Sequence, residues 1–116
     1  MILIDSNPAL NDIKELLQEN LKEVFPWNDS TRYSVSVNYK KDNTDELYVE
    51  IIAPYTALTL ITELNDRNNT ILNTFREIGI KGTMIITSSF SKVILDLPNN
   101  IHAIEHIFIL LKIKGI

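Results

Sequence analysis

The chain has 116 residues, 45% of them hydrophobic, and a mean hydropathy near zero, which suits one globular domain with a sizeable core. Its formal net charge of −4 leaves no basic surface for phosphate backbones, so direct binding of nucleic acid is not expected. The absence of cysteine excludes disulfides, thiolate metal ligands and a cysteine nucleophile.

The N-terminal segment from Met1 to Asp5 has no basic residues and only four apolar ones, so we expect no signal peptide. The longest uncharged apolar run, Ile107 to Leu111, is far too short to cross a bilayer. Residues 1–50 hold ten acidic and five basic residues, whereas residues 51–116 hold five and six. The sequence therefore predicts a cytoplasmic protein whose first half carries the negative charge.

An amphipathic helix is the clearest local pattern near the N-terminus. Asn7 is placed to cap this helix, Pro8 suits its first position, and Pro26 follows its end. Whether Met1–Ile4 forms an edge strand stays open at this point. The apolar stripe of the helix consists of Leu10, Ile13, Leu17, Leu21 and Val24.

The rest of the chain shows the same pattern twice: two short strands, a proline, and an amphipathic helix. Apolar residues alternate before Pro54 and again before Pro98, as they do in half-buried strands. In the first unit we expect strands over residues 33–39 and 46–53. The helix after Pro54 is expected to run to residue 78, with a bend or break near Asn65, where poor helix formers cluster.

In the second unit we expect strands over residues 83–87 and 92–97, joined by a turn over 88–91. Gly79 is placed to end the helix before this hairpin, and Asn99 or Asn100 is placed to cap the last helix.

These elements predict a single α+β domain over residues 1–116, in which an N-terminal helix precedes two ββα units. The short strand connections favour a four-stranded, mainly antiparallel sheet packed against helices, in a circular permutation of the ferredoxin-like topology. Such sheets serve many unrelated functions, so the topology alone predicts none. The residues expected to lie between sheet and helices are Val49, Ile51, Leu60, Val93, Leu95, Ile104 and Phe108.

Catalytic motifs are scarce. There is no nucleophile elbow and no glycine-rich phosphate loop, so we expect no nucleotide cofactor. The segment His102-Ala103-Ile104-Glu105-His106 has the H-x-x-E-H spacing of one class of zinc peptidases, but no acidic residue follows it. We expect no enzymatic activity, and we keep His102, Glu105 and His106 only as weak candidate metal ligands.

Four acidic residues of the first helix fall within an arc of about 80°, opposite the apolar stripe. The pairs Glu15–Glu19 and Glu19–Glu23 place like charges four residues apart, which destabilises a helix slightly. A solvated helix face explains this pattern, and so does a docking surface for a basic protein. The residues expected to contact such a partner are Asp12, Glu15, Glu19, Glu23, Trp27, Asp29 and Phe90.

We therefore expect a small acidic, cofactor-free protein that binds a basic protein partner and neutralises or inhibits it. An immunity protein, an antitoxin or a phage anti-defence protein has this size, charge and lack of catalytic groups. Two alternatives stay open: a small metal-dependent hydrolase using the histidine motif, and a homodimer or larger homo-oligomer assembled through sheet edges. Neither a membrane nor a nucleic acid is an expected direct partner.

Overall fold

A computed structural model describes residues 3–25, 34–42, 45–55 and 60–116, with side chains described from residue 11 onward. Within these ranges the four strands form one sheet in the order β1-β2-β4-β3, and every neighbouring pair is antiparallel. This confirms the predicted α+β class and is compatible with a permuted ferredoxin-like topology. The elements are α1 (Leu3–Val24), β1 (Ser34–Tyr39), β2 (Glu46–Pro54), α2 (Ile61–Glu77), β3 (Lys81–Ile86), β4 (Phe90–Pro98) and α3 (Ile101–Ile113).

The two faces of the sheet differ in burial. Alternate residues of the central strands β2 and β4 are buried on the face of the sheet that the helices cover. On that face α1 packs on β1, α2 on β3 and α3 on β4. None of the helices in the described part of the chain is long and apolar enough to span a membrane. The predicted core residues that the structure confirms as buried are Val49, Ile51, Val93, Leu95, Ile104 and Phe108.

Helix α1 begins earlier than predicted. Its first described residue is Leu3, so Asn7 and Pro8 lie inside the helix and the predicted cap at Asn7 is wrong. Pro8 has no N–H to donate to the carbonyl of Ile4, so the helix loses one hydrogen bond there. The buried stripe farther along α1 keeps the helix packed on the sheet. Because Leu3 and Ile4 are helical, they do not form an edge strand.

A bend or break was predicted near Asn65, and helix α2 runs from Ile61 to Glu77 without interruption, so the predicted break is wrong. Asn68 is fully buried, and its Nδ2 donates a hydrogen bond to the hydroxyl of Ser91 on β4 at 3.4 Å. On the opposite side of the helix, Arg67 and Glu63 form an i,i+4 ion pair at 3.4 Å. These contacts support a segment of low intrinsic helix propensity.

Leu60 was predicted to be buried, and it is 66% exposed. It is the residue before the first turn of α2 and has an extended backbone, so it does not occupy the helical position that the periodicity assigned to it. Ala57, which shared the predicted stripe, lies outside the described residues. The face of α2 that packs on the sheet instead consists of Leu64, Asn68, Ile71, Leu72 and Phe75.

Replacing Asn68 with alanine tests how α2 is held. We expect the free energy of unfolding to fall by about 1–3 kcal/mol, because the hydroxyl of Ser91 would stay buried without this partner. Chemical denaturation measures this loss. The exposed neighbour Asn69 provides the control, and Asn69→Ala should change stability by less than about 0.5 kcal/mol. Equal effects of the two substitutions would contradict this role of Asn68.

Two of the predicted boundaries follow from local hydrogen bonds. Gly79 has a φ of 87°, and its N–H donates a hydrogen bond to the carbonyl of Arg76 at 3.0 Å. The N–H of Ile80 donates to the carbonyl of Phe75 at 2.9 Å. This pattern ends α2 at the predicted glycine. The hairpin turn is shorter than predicted, because the hydroxyl of Thr87 accepts the N–H of Phe90 at 3.1 Å and β4 already begins there.

Of the two predicted caps for α3, Asn100 is the one that forms. Its Oδ1 accepts a hydrogen bond from the N–H of Ala103 at 3.0 Å. We expect Asn100→Ala to lower the free energy of unfolding by about 1 kcal/mol, whereas Asn100→Asp should retain most of it. Urea denaturation compares the two variants, and similar losses from both would argue against the cap.

Candidate functional site

The acidic stripe is defined here as Asp12, Glu15, Glu19 and Glu23. All four side chains are exposed in the structure. The opposite side of α1 carries the residues that pack on the sheet, so the helix is oriented by its apolar half and directs its carboxylates to solvent. The buried residues of that half are Ile13, Leu17, Leu21 and Val24.

No carboxylate of the acidic stripe forms an ion pair with any residue that the structure describes. Residues four apart on a helix are separated by about 6 Å along its axis, so Glu15, Glu19 and Glu23 form an evenly spaced row. In contrast, the carboxylates that lie within 4.0 Å of a lysine or arginine nitrogen are those of Glu46, Glu50, Glu63, Glu77 and Asp96.

The open face of the sheet shows the charge pairing that the acidic stripe lacks. The carboxylate of Glu50 is 2.9 Å from Nζ of Lys92, and this hydrogen-bonded contact raises the pKa of Lys92. Asp96 accepts a hydrogen bond from Lys40 at 3.3 Å, and together with Glu46 it raises the pKa of Lys40. The charges on this face therefore largely neutralise one another.

Aromatic packing fixes α1 against α2. The rings of Phe25, just after α1, and Phe75 of α2 are stacked with centroids 6.2 Å apart and planes 8° from parallel. Both side chains are fully buried. Because Phe25 follows directly after the helix, this contact holds the end of α1 that bears Glu19 and Glu23.

A groove of about 210 Å³ lies between α1 and α3. At 100° per residue, Leu16 and Asn20 lie on the flank of α1 between the acidic stripe and the buried stripe. The groove therefore adjoins the carboxylates. Its six lining residues are Leu16, Asn20, Glu105, Phe108, Ile109 and Lys112.

Sequence patterns did not identify this groove. Ile109, which lines it, is 54% exposed although it is a large aliphatic residue on a helix. The available signal was that Ile109 lies off the stripe formed by Ile101, Ile104 and Phe108. The helical periodicity of α3 does not reveal which helix lies beside Ile109.

Comparison of the chain with protein-family models, with curated proteins and with solved structures gave no match. Function is therefore inferred from the surface of the chain itself.

Of the remaining predicted contact residues, the structure describes Phe90, which does not lie beside the acidic stripe. Phe90 is the first residue of β4, and it alternates with the buried Ser91 and Val93, which places it on the open face of the sheet. The helices cover the other face, so Phe90 and the acidic stripe lie on opposite sides of the molecule. Trp27 and Asp29 lie outside the described residues.

The histidine motif lies on the exposed face of α3. His102, Glu105 and His106 are all exposed, and Nδ1 of His102 is 3.4 Å from Oε1 of Glu105. Within the described residues, no group of three or more histidine, cysteine, aspartate or glutamate side chains is arranged to hold a metal ion. The motif therefore has at most two ring nitrogens and one adjacent carboxylate to offer.

Proposed function

We propose that this chain is a cytoplasmic protein-binding protein that neutralises or inhibits a basic protein partner, in the manner of an immunity protein, an antitoxin or a phage anti-defence protein. The observation that carries the proposal is the contrast in charge pairing. Among the described residues, five carboxylates elsewhere lie within 4.0 Å of a lysine or arginine nitrogen, whereas the four of the acidic stripe do not. Asp42 and Asp66 also lack such a cation, but they lie on separate segments and do not form a row.

A row of carboxylates that have no cationic partner in the described part of the chain is complementary in charge to a cationic protein surface. Glu15, Glu19 and Glu23 extend over about 12 Å of helix, which matches a patch of several lysine or arginine side chains rather than a single one. Electrostatic attraction of this kind accelerates association, which benefits an inhibitor that must act before its target does.

The groove beside the acidic stripe adds apolar contact area. Phe108 and Ile109 line it, and the exposed part of Ile109 is available to a partner side chain. Binding energy in protein interfaces usually comes from such buried apolar contacts, while the surrounding charges set the rate and the orientation. We therefore place the centre of the proposed interface at the groove and its charged border at the acidic stripe.

A homo-oligomer formed through the edge strand β3 is the second candidate. Ile85 and Ile86 are 45% and 51% exposed, on a strand with no neighbour beyond it in the described part of the chain. Arg76 covers part of this edge, because its guanidinium donates to the carbonyl of Gly82 at 2.7 and 3.2 Å. The molecular mass in solution distinguishes a monomer from this assembly.

Affinity capture with three baits tests the proposed function. The baits are the unchanged chain, the stripe variant Glu15→Lys with Glu19→Lys, and the control variant Asp42→Lys with Asp66→Lys. Both variants change the formal net charge from −4 to zero, and all four replaced side chains are exposed. A basic protein retained by the first and third baits but lost by the second is the expected result. Equal loss from both variants would oppose a specific role of the acidic stripe.

A further inference from the structure

This chain has two histidines, and both lie on α3, four positions apart. Side chains at i and i+4 of a helix lie on one face with their Cβ atoms about 5–6 Å apart. Both imidazoles are exposed, and the side chain of His102 is 90% exposed. Two ring nitrogens can therefore approach one ion without any change in the helix backbone.

Glu105 lies beside one of these rings, with its Oε1 3.4 Å from Nδ1 of His102. A carboxylate beside Nδ1 can orient the ring of a metal-binding histidine, and it leaves the other nitrogen, Nε2, to face the ion. The negative charge of Glu105 also offsets the positive end of the helix dipole, near which His102 lies.

We propose that His102 and His106 together bind one divalent transition-metal ion, through Nε2 of His102 and a ring nitrogen of His106. Imidazole ligands suit copper, nickel and zinc, and affinity for a given site generally rises from Ni²⁺ to Cu²⁺ and is lower for Zn²⁺ than for Cu²⁺. With two protein ligands, the other coordination positions belong to water. This site is independent of the proposed protein-binding surface.

Titration calorimetry with Cu²⁺ and with Ni²⁺ tests the site on the full chain. We expect one ion per chain, bound more tightly for Cu²⁺. His102→Ala or His106→Ala should weaken binding by about tenfold or more, because each removes one arm of the chelate. Glu105→Gln should weaken it less, since both ligands remain and only the orienting carboxylate is lost.

A matched control keeps two exposed histidines but separates them. In the variant His106→Ala with Lys112→His, the imidazoles are ten residues apart, or about 15 Å along the helix, so they cannot share an ion. Its affinity should equal that of His106→Ala. If the unchanged chain binds Cu²⁺ no more tightly than this control, the ions bind single imidazoles and the proposal is wrong. Circular dichroism confirms that each variant is folded.

Discussion

Reversing two charges of the acidic stripe, with Glu15→Lys and Glu19→Lys, is expected to slow association with the proposed basic partner by about tenfold or more. The carboxylates act at a distance, before contact, so their loss should affect the association rate more than the dissociation rate. Stopped-flow mixing at low ionic strength measures both. The rate for the unchanged chain should also fall steeply as salt is added, because exposed charges are screened over about 8–10 Å at physiological ionic strength.

The variant Asp42→Lys with Asp66→Lys separates the acidic stripe from net charge. It has the same formal charge as the stripe variant, but its two new lysines are not on α1: one follows β1 and one is on α2. Its association rate should stay within a few-fold of the unchanged chain. If both variants slow association equally, total charge determines the rate and the stripe has no special role.

Stability should not account for the loss of binding. Lysines at positions 15 and 19 repel each other as the two glutamates did, so that like-charge pair is kept in the opposite sign. Lysine at position 19 and Glu23 become an opposite-charge pair four residues apart. All three side chains are exposed, so we expect the free energy of unfolding to change by less than about 0.5 kcal/mol. Urea denaturation of both variants verifies this, and a large loss would mean that the acidic stripe has a structural role.

The largest effect on stability is expected from Phe75→Ala, which should lower the free energy of unfolding by about 3–5 kcal/mol. The ring of Phe75 is fully buried and stacked on Phe25, so its removal leaves a cavity between α1 and α2. Thermal and urea denaturation measure the loss. A loss near 1 kcal/mol would indicate that the surrounding side chains collapse into the space.

Ile113→Ala is the matched control on the surface of α3. This isoleucine is 75% exposed, so its truncation should cost less than about 0.5 kcal/mol. A double-mutant cycle with Phe25→Ala isolates the stacked pair, for which about 0.5–1.5 kcal/mol of coupling is expected. A coupling near zero would show that each ring stabilises the core separately.

The parts of the fold that sequence predicted correctly depend on short-range chemistry. Strand alternation before Pro54 and Pro98 identified the buried faces of β2 and β4. Gly79 was identified from the preference of glycine for a positive φ, and Asn100 from the preference of asparagine for a helix cap.

One incorrect prediction, the break in α2, involved a contact between distant parts of the chain, and another involved the residue at which α2 begins. The hydrogen bond from Asn68 to Ser91 joins residues 23 positions apart. Local helix propensity does not reveal such a contact, which supports α2 where poor helix formers cluster. The burial predicted for Leu60 failed because the helical period was extended backward past the first turn of α2.

The candidate site divides in the same way. Helical periodicity was sufficient to place Asp12, Glu15, Glu19 and Glu23 on one exposed face. The groove required knowledge that α1 lies beside α3, which sequence periodicity does not contain. Phe90 was expected in the turn, whereas β4 begins two residues earlier than predicted and includes it.

The uneven pairing of carboxylates also makes the distribution of charge over the molecule asymmetric. Negative charge is balanced by nearby lysines across the open face of the sheet but is unbalanced along α1, so these two sides differ in potential. In the field of a cationic surface, such a molecule experiences a torque that turns α1 toward that surface during diffusion. Fewer encounters then begin in the wrong orientation, so the chain needs less rotational diffusion after first contact to reach the bound orientation.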